Sequence, residues 1–469
     1  MAPKRRSASG PFLSAAAAAT AILIAEVSVT AALVHAQRPD RAKLIALIDS
    51  VVSAPIKAGH AAGISIAVVK GRDTILIKGY GSADLDLDTP TPPNAVYEIG
   101  SITKQFTAAA LMQLVEQGKV KLDDDLLTYL PQYPSRGQPL PVRRLLDHTS
   151  GIRSYTEIAE ARNLMPLTIP KDSIMALFAE RGFDFTPGDA VVYNNSAYFL
   201  AGMIIEKVSG QSYADYLKAN LFDKAGMASS AYCSESEPVK RKVHGYNYGS
   251  KLLKAPQQNH SWPYAAGSIC STAGDLIAWL RALHTSDKVV SRASYREMIT
   301  PGKLNDGYQL RYAKGLVASE EEGRRIISHG GGISGFTTDS RYYPDDDLYL
   351  VVLINTAGPA APTAVAQAIA KVVLGPGKPL TGVPFSGDLT TYAGRYRGVG
   401  RGVPTNLTVA VEGGALQIQG GGPARTLLYL GGDTFGAGSA RYTFTRDGGR
   451  VTAVRVDAIS VVSMARRID

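Results

Sequence analysis

The chain has 469 residues, 45% of them hydrophobic and 19% charged, which is enough apolar material for one large or two ordinary domains. Disordered, collagen-like and disulfide-dense small scaffolds are excluded by these figures. The net charge of +9 is scattered without a basic and aromatic stripe, so no nucleic-acid partner is expected; two cysteines and seven dispersed histidines argue against a metal centre, and no cofactor is expected.

Residues 1–36 read as an export signal. Lys4, Arg5 and Arg6 precede an apolar run from Ala15 to Leu33, which ends at the small-x-small pattern Val34-His35-Ala36. The alternative is an uncleaved anchor, but Glu26 inside the run makes a lasting membrane span costly. Membrane contact is therefore expected only in transit, and the destination is the periplasm or the exterior. In such a compartment Cys233 and Cys270 are either a disulfide or two buried thiols, and the sequence leaves both open.

Arg41 to Ile56 has the pattern of an amphipathic helix. Ile64–Val69 and Thr74–Tyr80 are strand runs split by the turn Lys70-Gly71-Arg72-Asp73. Gly100-Ser101 opens a helical pattern that reaches Gln117, with Gly118 as its C-cap. A helical, loop-rich middle follows from Asp123 to Leu283, with clear helices at Ser212–Leu221 and Thr272–Leu283. Strands return at Arg324–Ser328, Thr337–Tyr343 and Leu348–Ile354, and Ala360–Leu374 closes as a helix. This order predicts an α+β domain over 37–376, an α/β sandwich whose antiparallel sheet is completed by both chain ends and flanked by helices, with a helical subdomain inserted. Gly and Pro mark a linker over 377–388. Short alternating runs at Leu407–Val411, Ala415–Gln419, Thr426–Leu430, Tyr442–Thr445 and Val451–Val456 predict a small all-β barrel over 389–469.

Ser101-Ile102-Thr103-Lys104 places a hydroxyl and an amine three residues apart on one helical face. Serine needs a base to attack anything, and a lysine serves only when burial or neighbours depress its pKa. The helix start also offers N–H groups to an oxyanion. Tyr193-Asn194-Asn195 adds a phenol able to move the serine proton and an amide able to bond a substrate. His329-Gly330-Gly331-Gly332 follows a strand, and glycines at a strand edge let a substrate backbone approach. Asp147-His148 suggests a Ser-His-Asp triad only superficially, and the runs Asp123-Asp124-Asp125 and Asp345-Asp346-Asp347 read as solvated turns.

The order Ser-x-x-Lys, Tyr-x-Asn, His-x-Gly resembles the serine β-lactamase and penicillin-binding-protein superfamily, in its class C-like branch with esterase, D-aminopeptidase and carboxypeptidase relatives. Tyr97 to Thr107, Leu145 to Ile152 and Gly267 to Leu276 resemble that branch's blocks as well. The segment opening at Tyr392-Ala393-Gly394-Arg395-Tyr396 resembles the lipocalin-like domain of many such hydrolases. The resemblance implies a beta-lactamase/transpeptidase-like fold, with Ser101 as nucleophile and Lys104 with Tyr193 as the base system. The oxyanion donors are then the N–H groups of Ser101 and Gly332, and Asn195, His329 and Gly331 contact the substrate. His329 stands where the family's β-lactamases and transpeptidases usually carry lysine. This favours an esterase or a D-amino-acid-directed peptidase over a strong β-lactamase or D-Ala-D-Ala carboxypeptidase. The substrate is expected to be a small ester, amide or peptide, peptidoglycan-derived compounds included. A penicillin- or peptidoglycan-binding module or assembly module with little catalysis is the alternative, and self-association stays open.

Overall fold

The computed structural model describes Met1 and residues 41–469, so the expected export signal lies outside the described residues. Contacts divide the chain into Met1–Leu47 and Ile48–Asp469. Helix α1, Arg41–Lys57, runs across that boundary.

Its main sheet has seven strands. These are β1 (Gly63–Lys70), β2 (Asp73–Asp84), β3 (Thr89–Pro90), β4 (Val317–Glu321), β5 (Arg324–Ile333), β6 (Phe336–Tyr343) and β7 (Leu348–Ile354), in the spatial order β4-β5-β6-β7-β1-β2-β3. Strand β1 pairs antiparallel with β7, Ile64 opposite Ile354 and Lys70 opposite Leu348, so the two ends of the domain meet at the centre of the sheet. Both strands read as unbroken apolar runs, and all of β7 and all but the last residue of β1 are buried. Burial on both faces demands that pattern rather than alternation. The covering elements include α4 (Ala273–Thr285) and α5 (Pro362–Leu374), both packed on β7.

Between β3 and β4 the chain builds the expected helical region, whose central members are α2 (Thr103–Glu116) and α3 (Asn195–Ser209). Helix α2 is buried over twelve residues, from Thr103 to Leu114. Gln105 ties it to the sheet and to α4: its Nε2 donates to Ser340 Oγ at 2.9 Å, and its Oε1 accepts from Trp279 Nε1 at 2.9 Å. Two expectations are modified here. The helix expected from Gly100 begins as a 3-10 turn at Gly100–Ile102, because Gly100 sits at φ +52° and cannot join a regular helix. The helix expected over Ser212–Leu221 is α-helical only at Tyr213–Leu217 and continues as a π turn at Lys218–Phe222. Cys233 and Cys270 form a disulfide with Cα atoms 5.2 Å apart, Cys270 being the middle residue of the short strand Ile269–Ser271.

Residues 375–388 carry no regular element. Beyond them nine strands, β8 (Gly394–Gly398) through β16 (Val461–Arg467), form an antiparallel sheet around a core that includes Tyr396, Val409, Ile418, Phe435, Phe444 and Val454. Its two edge strands, Arg425–Thr426 and Leu428–Gly431, are neighbours in sequence, so the sheet curls into a nearly closed barrel. A tenth strand comes from outside it. Val191 and Val192 pair with Val462 and Val461, and Tyr193 N–H donates to Ser460 O at 2.9 Å. Asp457 adds an anchor, accepting from Arg311 Nη2 at 2.7 Å and from Tyr308 Oη at 2.9 Å. The barrel thus holds the segment that carries Tyr193.

Candidate active site

Ser101 lies in the 3-10 turn ahead of α2, and Lys104 follows one turn later. Lys104 Nζ is 3.1 Å from Ser101 Oγ, 2.8 Å from Asn195 Oδ1 and 2.9 Å from the Ala266 carbonyl. The side chain is fully buried, and that burial, helped by the positive charge of Arg401, drives its pKa well below the usual lysine range. A neutral amine has two N–H groups and one lone pair. Asn195 and Ala266 accept the two N–H groups, which leaves the lone pair facing the Ser101 hydroxyl.

Tyr193 reaches the same point from the turn before α3. Its ring centroid is 4.7 Å from Lys104 Nζ. The hydroxyl is buried and makes no hydrogen bond of normal geometry among the described residues. Burial pushes its pKa up, while the nearby Ser101 hydroxyl and Arg401 oppose the rise. Both shifts favour the uncharged forms, an amine beside a phenol whose hydroxyl can donate. The helix behind it is firmly started: Asn194 Oδ1 caps α3 by accepting from Ala197 N–H at 2.9 Å. His148 supports the ring at 4.3 Å between centroids, and its Nδ1 accepts from Asn194 N–H at 3.1 Å. His148 is thus a packing partner of Tyr193. Asp147 serves its own turn, accepting from the Thr149 hydroxyl at 2.6 Å.

The third wall is β5. The sequence suggested a strand stopping at Ser328, whereas the strand runs on through the three glycines to Ile333. A two-residue turn at Ser334-Gly335 joins it to β6, pairing Ile333 with Phe336 and Gly332 with Thr337. Alternation from that hairpin points the Gly332 N–H away from β6, toward the open edge. That edge faces the nucleophile loop: a Cβ on Gly100 would lie 2.9 Å from Gly332 N. The backbone at Gly332 therefore runs directly beside the nucleophile loop.

Gly331 is what allows this approach. A Cβ there would stand 2.0 Å from Ile99 O and 2.3 Å from Thr338 Oγ1, both in the buried interior. Gly331→Ala is expected to push β5 off the nucleophile loop and lower kcat/KM by about 100-fold or more, since misplacement by ~1 Å costs that much. Gly330→Ala is the control, because its Cβ meets nothing closer than Thr338 O at 3.4 Å. Equal kinetics for the two variants would show that this packing does not set the site.

His329 is only 5% exposed, and burial lowers its pKa to about 3. Nδ1 contacts the Gly330 carbonyl at 2.6 Å and so carries the proton; Nε2 then accepts from Tyr312 Oη at 2.8 Å. Both nitrogens of this neutral ring are engaged within the protein. Asn195, expected to face a substrate amide, bonds Lys104 through Oδ1 and Thr156 Oγ1 through Nδ2, the latter at 3.4 Å. The sequence reading missed Ala266, Tyr312, Glu157 and Arg401. None carries a motif, and each reaches the site only through the fold. The acidic triplets serve local structure: Asp124 Oδ2 accepts from Tyr129 Oη at 2.6 Å, and Asp345 Oδ2 accepts from Arg325 Nε at 2.8 Å.

A serine hydroxyl beside a buried amine, with a phenol on one side and a strand-edge backbone on the other, is the arrangement of a serine hydrolase of the β-lactamase fold. The comparisons with known proteins agree: the family described as Beta-lactamase matches residues 48–374, and the chain belongs to it. Penicillin-binding protein 4* of Bacillus subtilis (strain 168) is 30% identical over 309 residues, which are 62% of this chain and 67% of that protein. The octameric penicillin-binding protein homologue from Pyrococcus abyssi superposes with TM-score 0.62 at 27% identity, covering 91% of this chain and 100% of its own. A D-stereospecific amidohydrolase from Streptomyces sp. gives TM-score 0.60 at 26% identity over 71% of this chain and 98% of its own.

Proposed function

We propose that the protein is an exported serine hydrolase that cleaves ester or amide and peptide bonds through an acyl-enzyme on Ser101. Esterase or D-amino-acid-directed peptidase activity is placed ahead of β-lactamase activity. The observation that carries the reading is the buried Lys104 amine, 3.1 Å from Ser101 Oγ with its two N–H groups otherwise accepted. In the proposed reaction, Lys104 Nζ takes the Ser101 proton as Oγ bonds to the substrate carbonyl carbon. The oxyanion rests on the Ser101 and Gly332 N–H groups. When the leaving group departs, Tyr193 Oη gives it a proton and regains one from the Lys104 ammonium. Water then enters by the reverse path, and the serine is released.

The order of preference rests on His329. An engaged, neutral imidazole supplies no charge to a substrate carboxylate at the strand edge, where an ammonium would. The D-stereospecific amidohydrolase among the related structures supports the amide side of the reading. Export is supported by the N-terminal pattern and by the Cys233–Cys270 disulfide, which belongs to oxidising compartments. A fluorophosphonate probe is expected to label Ser101, located by mass spectrometry. In a panel of p-nitrophenyl esters, D-amino-acid amides and a chromogenic cephalosporin, the esters or amides are expected to lead. A label on another residue would refute the mechanism, and a cephalosporin preference would refute the ranking.

A further inference from the structure

Arg401 lies on the loop between β8 and β9 (Thr405–Glu412), far from the nucleophile in sequence. The fold brings its guanidinium to 5.8 Å from the centroid of the Tyr193 ring. The loop is latched in place, because Arg153 Nη1 donates to the Gly402 carbonyl at 3.0 Å while Arg153 Nη2 pairs with Asp184 at 2.6 Å. Arg401 itself pairs with Glu157 at 2.9 Å. Its side chain is 44% exposed and that of Glu157 is 21% exposed. An ion pair this open to water is weak and exchanges partners readily. Behind it a file of polar contacts leads inward. Thr156 Oγ1 lies 3.3 Å from Glu157 Oε1 and 3.4 Å from Asn195 Nδ2, and Asn195 holds Lys104.

Two facts meet at this point. At the strand edge His329 offers a substrate no positive charge, because it is neutral and both its nitrogens are engaged. The barrel delivers a cation to the Tyr193 side of the site, where its positive charge favours the neutral form of Lys104. A guanidinium presents a planar fork of donors that matches a carboxylate, whereas a lone imidazole does not.

We propose that Arg401 is a substrate-specificity residue that binds a carboxylate in the leaving-group portion of the substrate, exchanging its Glu157 partner for that carboxylate. This rests on the serine hydrolase reading and narrows its substrate class to esters or amides whose departing alcohol or amine is anionic. The leaving-group side is chosen because Arg401 lies over Tyr193, the group assigned to protonate what departs.

The test uses two acetyl esters that differ in one charge, 4-acetoxybenzoate and its methyl ester, with the full chain. The measured quantity is the ratio of kcat/KM for the anionic ester over the neutral one. Arg401→Gln is expected to lower that ratio by about 10- to 100-fold, the worth of a charge-assisted contact. Arg401→Lys is expected to keep part of it, since a point charge replaces the fork. Glu157→Gln, which frees Arg401 of its competitor, is expected to raise the ratio severalfold. A ratio that stays within twofold in Arg401→Gln overturns the proposal, as does a ratio that falls in Glu157→Gln. A parallel loss on both esters, measured at a pH above the acid limb of both enzymes, also overturns it, because Arg401 would then order the site rather than select the charge. The rate at which fluorophosphonate labels Ser101 in the presence of 4-hydroxybenzoate or its methyl ester reads the same preference without turnover. If Ser101 takes no label and neither ester is cleaved, the hydrolase reading falls first and this one with it.

Discussion

Lys104→Ala is expected to lower kcat/KM by on the order of 10⁴ or more while the protein still folds. Nucleophile and base act as one unit, so removing the amine leaves Ser101 with a hydroxyl that no neighbour deprotonates, and Ser101→Ala should cost about as much. The side chain is fully buried, so alanine also leaves a small cavity, and circular dichroism with a denaturant midpoint is needed to show that the loss is kinetic. The pH dependence gives an independent check. The amine accepts a proton only when neutral, so kcat/KM should rise with pH through the folded pKa of Lys104. Burial and Arg401 set that pKa well below the usual lysine range, and the acid limb should therefore fall well below the pH at which an exposed lysine titrates. Arg401→Gln removes the smaller of the two causes and should move the limb upward. A Lys104→Ala enzyme that keeps a tenth of its activity, or an acid limb at the ordinary lysine pKa, would remove Lys104 from the base role.

Much of this arrangement was legible before any coordinates. The strand runs of β1 and β7 announced an antiparallel sheet completed by both chain ends, and the spacing of Ser101 and Lys104 announced a hydroxyl and an amine within reach of each other. What the sequence concealed was set by approach rather than by pattern. The run His329-Gly330-Gly331-Gly332 looks like a loop because glycine weakens strands, yet β5 continues through it. The reason is the 2.0 Å that a Gly331 side chain would leave to Ile99 O, a constraint that only two folded segments together create. The spacing of Asn195 from Tyr193 fits a substrate contact, but it does not show that the fold also turns Oδ1 to Lys104, where it accepts one of the two N–H groups that orient the amine. His329 was expected to choose the substrate through its own ring. Tyr312, seventeen positions earlier and part of no motif, takes up its Nε2. Arg401 was invisible because its loop enters the site only after the barrel has paired Val461–Val462 with Val191–Val192.

Tyr193→Phe tests the step the serine and lysine cannot perform. Once Lys104 has taken the Ser101 proton, that proton must reach the leaving group, and Tyr193 is the buried group placed to carry it. Among the described residues its hydroxyl makes no hydrogen bond of normal geometry, and the neighbouring Ser101 hydroxyl keeps Lys104 as its partner, so phenylalanine strands no buried donor or acceptor. The ring's contacts with His148 at 4.3 Å and with Lys104 Nζ at 4.7 Å survive the change, and stability should move by less than about 1 kcal/mol. The kinetic effect should depend on what departs. An amide or alkyl ester must be protonated as it leaves, and for these substrates kcat/KM should fall by about 10²- to 10⁴-fold. A p-nitrophenolate departs without a proton, so the corresponding ester should lose far less. The difference between the two losses is the signature of a proton carrier. A uniform loss on both substrates would mean that the hydroxyl orders the site instead. No loss on either would leave Tyr193 as a packing residue held between His148 and the last strand of the barrel.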